Sequence, residues 1–269
     1  KNGISYSYIL QKIKWILVTV SIWTLIIWIY KRDFSENPIK KVLGSLLQRG
    51  YFFQFWFFGA LILIYLCLPI LKKFLKSKKR YLLILSVLVI IGLIFELTNF
   101  LLQMPVQVYV IQTFRLWTWF FYYILGGFLA QFNLDTLKKC YRSWMKVITV
   151  VLLFASPLFL FMLAKNIHHN LFAEYFYDSI FVKVISLGTF LTVLTFDLNT
   201  DKNRCIIYLS NQTMSVFFIH TYVMKVWEKS VGFSFAGAHL LFLIFTLSVS
   251  FIVVGILMKI PYFNRIVKL

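Results

Sequence analysis

The sequence predicts an all-α fold, a polytopic integral membrane bundle of about eight transmembrane helices, and three observations carry that prediction. Of its 269 residues, 61% are hydrophobic, against roughly 45–50% in soluble domains. A soluble core that apolar would leave too little polar surface to cover it, and mean hydropathy is +0.82. The apolar residues also fall into eight stretches near the ~20 residues a helix needs to cross a bilayer. Membrane strands would instead alternate over segments of about ten residues, a pattern absent here.

In order, the stretches are Ile13–Tyr30, Tyr51–Leu71, Tyr81–Leu102, Leu116–Phe132, Trp144–Ala164, Ile180–Phe196, Ile206–Trp227 and Phe235–Met258. The fourth and sixth are short, so tilt or local bilayer thinning is expected there. Between the first two, Pro38 followed by Lys40, Lys41, Leu43, Leu46 and Leu47 has the pattern of a short amphipathic helix lying in the interface. Loops are short and no repeat appears, so residues 1–269 read as a single membrane domain. The chain begins at Lys1 with no signal-peptide pattern and reads as a fragment.

Net charge is +19, from 28 Lys and Arg against 9 Asp and Glu. In a soluble protein that balance would suggest nucleic acid. Here the basic residues cluster between apolar stretches, as the positive-inside rule describes, and no nucleic-acid partner is expected. With residues 1–12 cytoplasmic, 18 basic residues fall on the inner segments and 10 on the outer. The inner ones include Lys72, Lys73, Lys78, Lys79, Arg80, Lys1, Lys202, Arg265 and Lys268. That bias predicts a multi-pass protein of the cell membrane, with both termini of this chain cytoplasmic and lipid as its first partner.

Few residues carry chemistry. Cys67, Cys140 and Cys205 have neither metal spacing nor a CxxC pair, and no metal site is predicted. P-loop, GxGxxG, GxSxG and HExxH motifs are all missing. The sequon Asn211-Gln212-Thr213 falls inside a predicted span and reads as chance. Glu96, one turn before Asn99, is an intramembrane carboxylate, which is a functional candidate by default; its plain reading is a hydrogen bond to a neighbouring helix. His220 reaches the outer third of the seventh span as either a base or an inter-helix hydrogen-bonding group. His239 and the pair His168-His169 fall near or beyond the outer face. Arg115 and Lys183 open the fourth and sixth spans, where the ordinary role is snorkelling. Arg115 is the stronger candidate, because a guanidinium grips a phosphate or carboxylate with two bonds. Lys12 and Lys14 either set topology or hold the phosphates of a cytoplasmic donor. The aromatic run around Gln54 and Trp56 is either an interfacial belt or a sugar-stacking surface.

The order of segments resembles the membrane acyltransferase-3 family, which includes bacterial cell-surface polysaccharide O-acetyltransferases. Tyr8-Ile9-Leu10-Gln11-Lys12-Ile13-Lys14-Trp15 is similar to the basic entrance of that family's third helix. The run from Gln54-Phe55-Trp56 to Tyr65-Leu66-Cys67-Leu68-Pro69 resembles its "WF…LI.lYl..P" helix. Arg115-Leu116-Trp117 through Gly126-Gly127 is similar to its "yf.lG" segment, and Leu209-Ser210 through His220 to its "ls..s..iYliH" segment. Lys259-Ile260-Pro261-Tyr262 is a weaker match.

The resemblance implies a membrane O-acyltransferase that moves an acetyl group from cytoplasmic acetyl-CoA to a sugar of a cell-surface glycan. On that reading Lys12 and Lys14 engage the acyl donor. Trp56, Gln54, Arg115 and Glu96 line the acceptor path, and His220 is a further catalytic candidate. The resemblance also places the Arg and the His held essential to acyl transfer on a helix upstream of Lys1. This stretch alone is therefore expected to lack the family's catalytic histidine and to be inactive by itself. The same resemblance sets Trp15 where the family favours a second arginine. Two rival readings remain at this stage. One is a transporter or flippase for a lipid-linked glycan, which would call for paired broken helices. The other is a non-catalytic membrane assembly subunit.

Overall fold

A computed structural model describes residues 6–170, 173–196, 204–233 and 237–260. Phe235, Lys1, Lys202, Arg265, Lys268 and the Pro261-Tyr262 end of the weaker match lie outside them. In chain order the helices are α1 (Tyr6–Tyr30), α2 (Pro38–Leu46), α3 (Trp56–Phe74), α4 (Lys78–Leu102), α5 (Leu116–Leu129), α6 (Leu134–Cys140), α7 (Ser143–Asn166), α8 (Ile180–Leu194), α9 (Arg204–Ser210), α10 (Thr213–Ser230) and α11 (Ala238–Leu257). No strand occurs among the described residues. The protein is an all-α membrane helix bundle.

Among the described residues five helices are long and apolar enough to cross a bilayer: α1, α3 with the turn before it, α4, α7 and α11. Helices α5 and α8, with 14 and 15 residues, are each about 21–23 Å long at ~1.5 Å per residue, short of a ~30 Å hydrocarbon core. The expected shortness of the fourth and sixth spans is therefore real. The predicted interfacial helix forms as α2. Only the seventh stretch departs in kind: it breaks at Asn211–Gln212 into α9 and α10.

Leu83, Ile94 and Phe154 are 64%, 58% and 81% exposed, as side chains that face lipid can be. Lipid is as apolar as leucine, so burial drives little of the helix association; close packing and hydrogen bonds must do it.

The chain folds as two compact units. The first comprises residues 54–196 with the short stretches 6–9 and 46–48. In it α4 packs on α5 and α7 on α8, while α3 meets α5 and the turn Gln112–Phe114. Leu85 and Leu88 of α4 and Phe121 and Ile124 of α5 form its apolar centre. Tyr141 fastens α7 to α8 through Thr149 (2.6 Å) and Thr192 (3.0 Å). Gly59 is a close-approach position: a Cβ there would lie 2.5 Å from the Leu46 carbonyl oxygen and 2.8 Å from Thr113 Cγ2. Its bare backbone lets the 112–114 turn dock on α3, where Thr113 Oγ1 donates to that same carbonyl at 2.6 Å.

The second unit comprises residues 10–45, 49–53 and 204–260. Helices α10 and α11 pack along each other, with Trp227 against Phe242 and Phe245. Trp23 of α1 meets Phe218 of α10, with ring centroids 5.4 Å apart.

Candidate functional site

In the first unit the loop between α4 and α5 organises the polar groups. Gln103 leaves α4 in a left-handed conformation (φ 53°), and the chain then makes two short 3-10 turns, Val106–Tyr109 and Gln112–Phe114. Asn99 anchors the loop from α4. Its Oδ1 accepts from Val106 N and its Nδ2 donates to Gln107 Oε1, both at 2.8 Å. Gln107 Nε2 in turn donates to Asp178 Oδ2 at 3.1 Å, and Trp117 Nε1 reaches the same oxygen at 3.1 Å. Asp178 stands just before Ser179, whose hydroxyl caps α8 by accepting from Val182 N. Asp178, Gln107 and Asn99 are all buried.

Arg115 belongs to this structure and does not snorkel. It is 4% exposed. Its Nε donates to Val110 O and one terminal nitrogen to Gln107 O, both at 2.9 Å, and its guanidinium lies over Tyr175 at 5.2 Å. Two of the donors imagined for a glycan are thus committed to the loop's own carbonyls. Lys183 is also buried, at 2% exposure, with its ammonium 5.0 Å above the Phe121 ring and in the field of Asp178 and Glu96. A Cβ on Gly92 would lie 2.3 Å from that ammonium, so the absence of a side chain there makes its room.

Glu96 Oε2 accepts from the backbone N–H of Ile180 at 3.2 Å. That is the first residue of α8, where a negative group meets the positive end of the helix dipole. The plain reading of Glu96, a bond to a neighbouring helix, describes what it does. Trp56 is 9% exposed and stacks on Trp119 with centroids 4.7 Å apart. Tyr177 lies 6.1 Å from Trp56 and 5.8 Å from Trp119, and at 40% exposure it is the open member of the cluster. Gln54 is buried beneath. His168 is buried too, and burial holds its imidazole below the usual range.

The second unit holds the other predicted residues. His220, half-buried on α10, directs Nδ1 at Phe217 O (2.9 Å) and Val216 O (3.3 Å). A carbonyl can only accept, so these contacts place the proton on Nδ1 and leave Nε2 as an acceptor. Lys12 is half-buried and Lys14 exposed on α1. Lys14 borders a groove of about 490 Å³ along that helix, lined also by Leu10, Ile13, Leu17, Val18 and Ser21. At the other end of α1, Tyr51 donates to Asp33, and Lys41 pairs with Asp33 at 3.3 Å. The Tyr51 hydrogen bond, then Lys41 and Lys31, hold the Asp33 carboxyl below its usual range.

The structure thus gathers Gln54, Trp56, Glu96 and Arg115 in the first unit and Lys12, Lys14 and His220 in the second. No cluster of three metal-binding side chains occurs among the described residues.

A family model for an acyltransferase domain matches residues 1–258. The chain belongs to the membrane acyltransferase-3 family. No curated protein and no solved structure matches it significantly. As an acyltransferase-3 protein it is a membrane acyltransferase. Within this family member, sequence reasoning passed over Gln107, Trp117 and Asp178. The Asp178-Ser179 pair at the head of an apolar stretch is a helix-start signal that could have pointed to them.

Proposed function

We propose that the protein transfers an acyl group, acetyl in the simplest case, from a coenzyme A thioester to a hydroxyl of a cell-surface glycan. The observation that carries this reading is the anchored imidazole of His220, set in a chain that belongs to an acyltransferase family. Nδ1 is tied to backbone carbonyls, so Nε2 can accept a proton without the ring turning away. In that step Nε2 takes the proton of the sugar hydroxyl while its oxygen attacks the thioester carbon. The C–S bond then breaks and the proton passes to the departing thiolate. A surrounding of apolar helices keeps water from competing for the thioester.

Lys12 and Lys14 serve the donor as point charges for its phosphates. Within the first unit, Arg115 and Glu96 act as positioning residues, for the loop and for α8.

The test is transfer of labelled acetyl from acetyl-CoA to glycan in membranes carrying the full-length protein. His220→Gln should lower the rate about 100-fold, a usual size for loss of an acid–base group, while leaving acetyl-CoA binding in place. Unchanged transfer in that variant would remove His220 from the chemistry.

A further inference from the structure

The seventh predicted span is not one helix. It stops at Ser210 and restarts at Thr213, so the head of α10, an 18-residue helix, lies in the polar run Ser210-Asn211-Gln212-Thr213 between two more apolar segments. Every helix head presents N–H groups without intrahelical acceptors, and at membrane depth such a break persists where it is buried in protein or lines a cavity. The residue at the head is Gln212, and its side chain caps none of those groups.

Gln212 is 1% exposed, yet neither its amide oxygen nor its amide nitrogen has a hydrogen-bond partner among the described residues. Ser215, three residues on and on the same face, is likewise 1% exposed with an unpartnered hydroxyl. Leaving a buried polar group unpaired costs about 1–3 kcal/mol. Three such atoms within one helical turn mark a place where something else supplies the bonds.

Chemistry narrows what that is. Residues 211–217 carry no charged side chain, which argues against a phosphate at this spot. A primary amide and a hydroxyl each both donate and accept, which suits a neutral secondary amide with one carbonyl and one N–H. The helix head adds N–H groups aimed at a carbonyl oxygen.

Position narrows it further. Trp23 of α1 touches Phe218 of α10. Tyr222, one turn beyond Phe218, meets Phe52, next to Tyr51, which binds Asp33 at the C-terminal end of α1. The two helices therefore run the same way. Counting ~1.5 Å per residue from the Trp23–Phe218 contact, Lys12 stands about 7 Å nearer the basic end than Gln212. His220 stands about 12 Å beyond Gln212 on the same scale. Basic side chains, neutral amide-binding groups and an anchored imidazole succeed one another along the second unit.

We propose that the head of α10, with Gln212 and Ser215, binds the amide-bearing arm of the thioester donor between its phosphates and its acyl group. This rests on the reading of the protein as a coenzyme A-dependent acyltransferase.

The test uses full-length protein in nanodiscs and two probes: acetyl-CoA, and adenosine 3′,5′-bisphosphate, which carries phosphates but no arm. Gln212→Leu with Ser215→Ala should weaken acetyl-CoA binding about tenfold or more, the loss of two neutral hydrogen bonds, and leave the bisphosphate unaffected. Equal weakening of both probes, or of neither, would overturn the proposal; a variant that binds acetyl-CoA normally and melts higher would mean these groups are only a structural burden. Should the double variant fail to fold, Ser215→Cys keeps the volume. Its alkylation should be slowed by acetyl-CoA and not by the bisphosphate, and absence of that protection sinks the site. Wild-type protein that binds no acetyl-CoA at all would instead bring down the donor reading itself, and the site with it.

Discussion

In the first unit, the buried side chains of Asn99, Gln107 and Asp178 end on one another and on neighbouring protein atoms, whereas in the second several buried polar side chains end on none among the described residues. Asn99, Gln107, Trp117 and Asp178 form a closed chain of hydrogen bonds, and Arg115 and Glu96 spend donors and acceptors on backbone. Thr118, His168 and Thr189 of the first unit each leave one buried atom without a hydrogen-bond partner among the described residues, well apart in sequence. The second unit leaves Thr24, Gln212, Ser215, Tyr222, Thr246 and Ser250 unpartnered, two of them within the opening turn of α10. Bonds inside a low-dielectric interior are strong when complete and costly when not. A closed network therefore rigidifies, and an open one is a place where a ligand gains by binding. On the proposed function the first unit is the positioned scaffold and the second the one that receives the donor.

The most damaging way to probe the contrast is Asp178→Ala. It strips the acceptor from Gln107 Nε2 and Trp117 Nε1 together, for about 2–5 kcal/mol, or roughly 5–15 °C in the melting temperature. Asp178→Asn keeps an oxygen for both donors and should recover most of that loss. If Asp178→Ala melts like wild type, the closed network is not what holds the first unit.

Arg115→Lys comes next in size. A lysine cannot span the Val110 and Gln107 carbonyls as a guanidinium fork does, so about 1–3 kcal/mol of loop stability should go, with transfer activity falling alongside it. A tenfold loss of activity with an unchanged melting curve would return Arg115 to direct contact with substrate, the role the sequence first suggested.

Much of this was legible beforehand, for physical reasons that also mark where legibility ended. Hydropathy found the five long spans because the bilayer demands length and apolarity of a crossing helix. The Pro38 start and the amphipathic spacing of Lys40, Lys41, Leu43 and Leu46 found α2. The break at Gln212 carries neither Gly nor Pro, and the polar run Ser210-Asn211-Gln212-Thr213 that marks it is short enough to pass as part of one long span. Each of Arg115 and Lys183 opens a span, where snorkelling is the ordinary role, and the sequence favours for Arg115 a grip on a phosphate or carboxylate instead. Their burial depends on partners distant in sequence, the 107–110 loop for one and Gly92 with Phe121 for the other, and no single-sequence pattern encodes such pairings. Glu96 was half legible: its type announced a buried bond, and only the fold could say that the partner is the first N–H of α8.

The smallest expected effect separates the two units by pH alone. His168, in the first unit, is buried in its neutral form, with its folded pKa below the unfolded value. Its contribution is complete above that unfolded value, near 6.5, and is lost as pH falls through the folded one. Asp33, in the second unit, has its carboxyl held low by Tyr51 and by lysines. Its contribution is complete above an unfolded value near 3.9 and fades only as pH falls through the lowered one. Melting temperature should therefore decline on acidification in two windows, the first beginning below about pH 6.5 and the second below about pH 4. Each step should be small, since solvent screens the charge of a group that is not fully buried. His168→Phe should erase the upper step and keep the lower, and Asp33→Asn the reverse. If either substitution removes both steps, the two units do not respond to protons independently, and the contrast between a closed scaffold and a receptive bundle loses its simplest support.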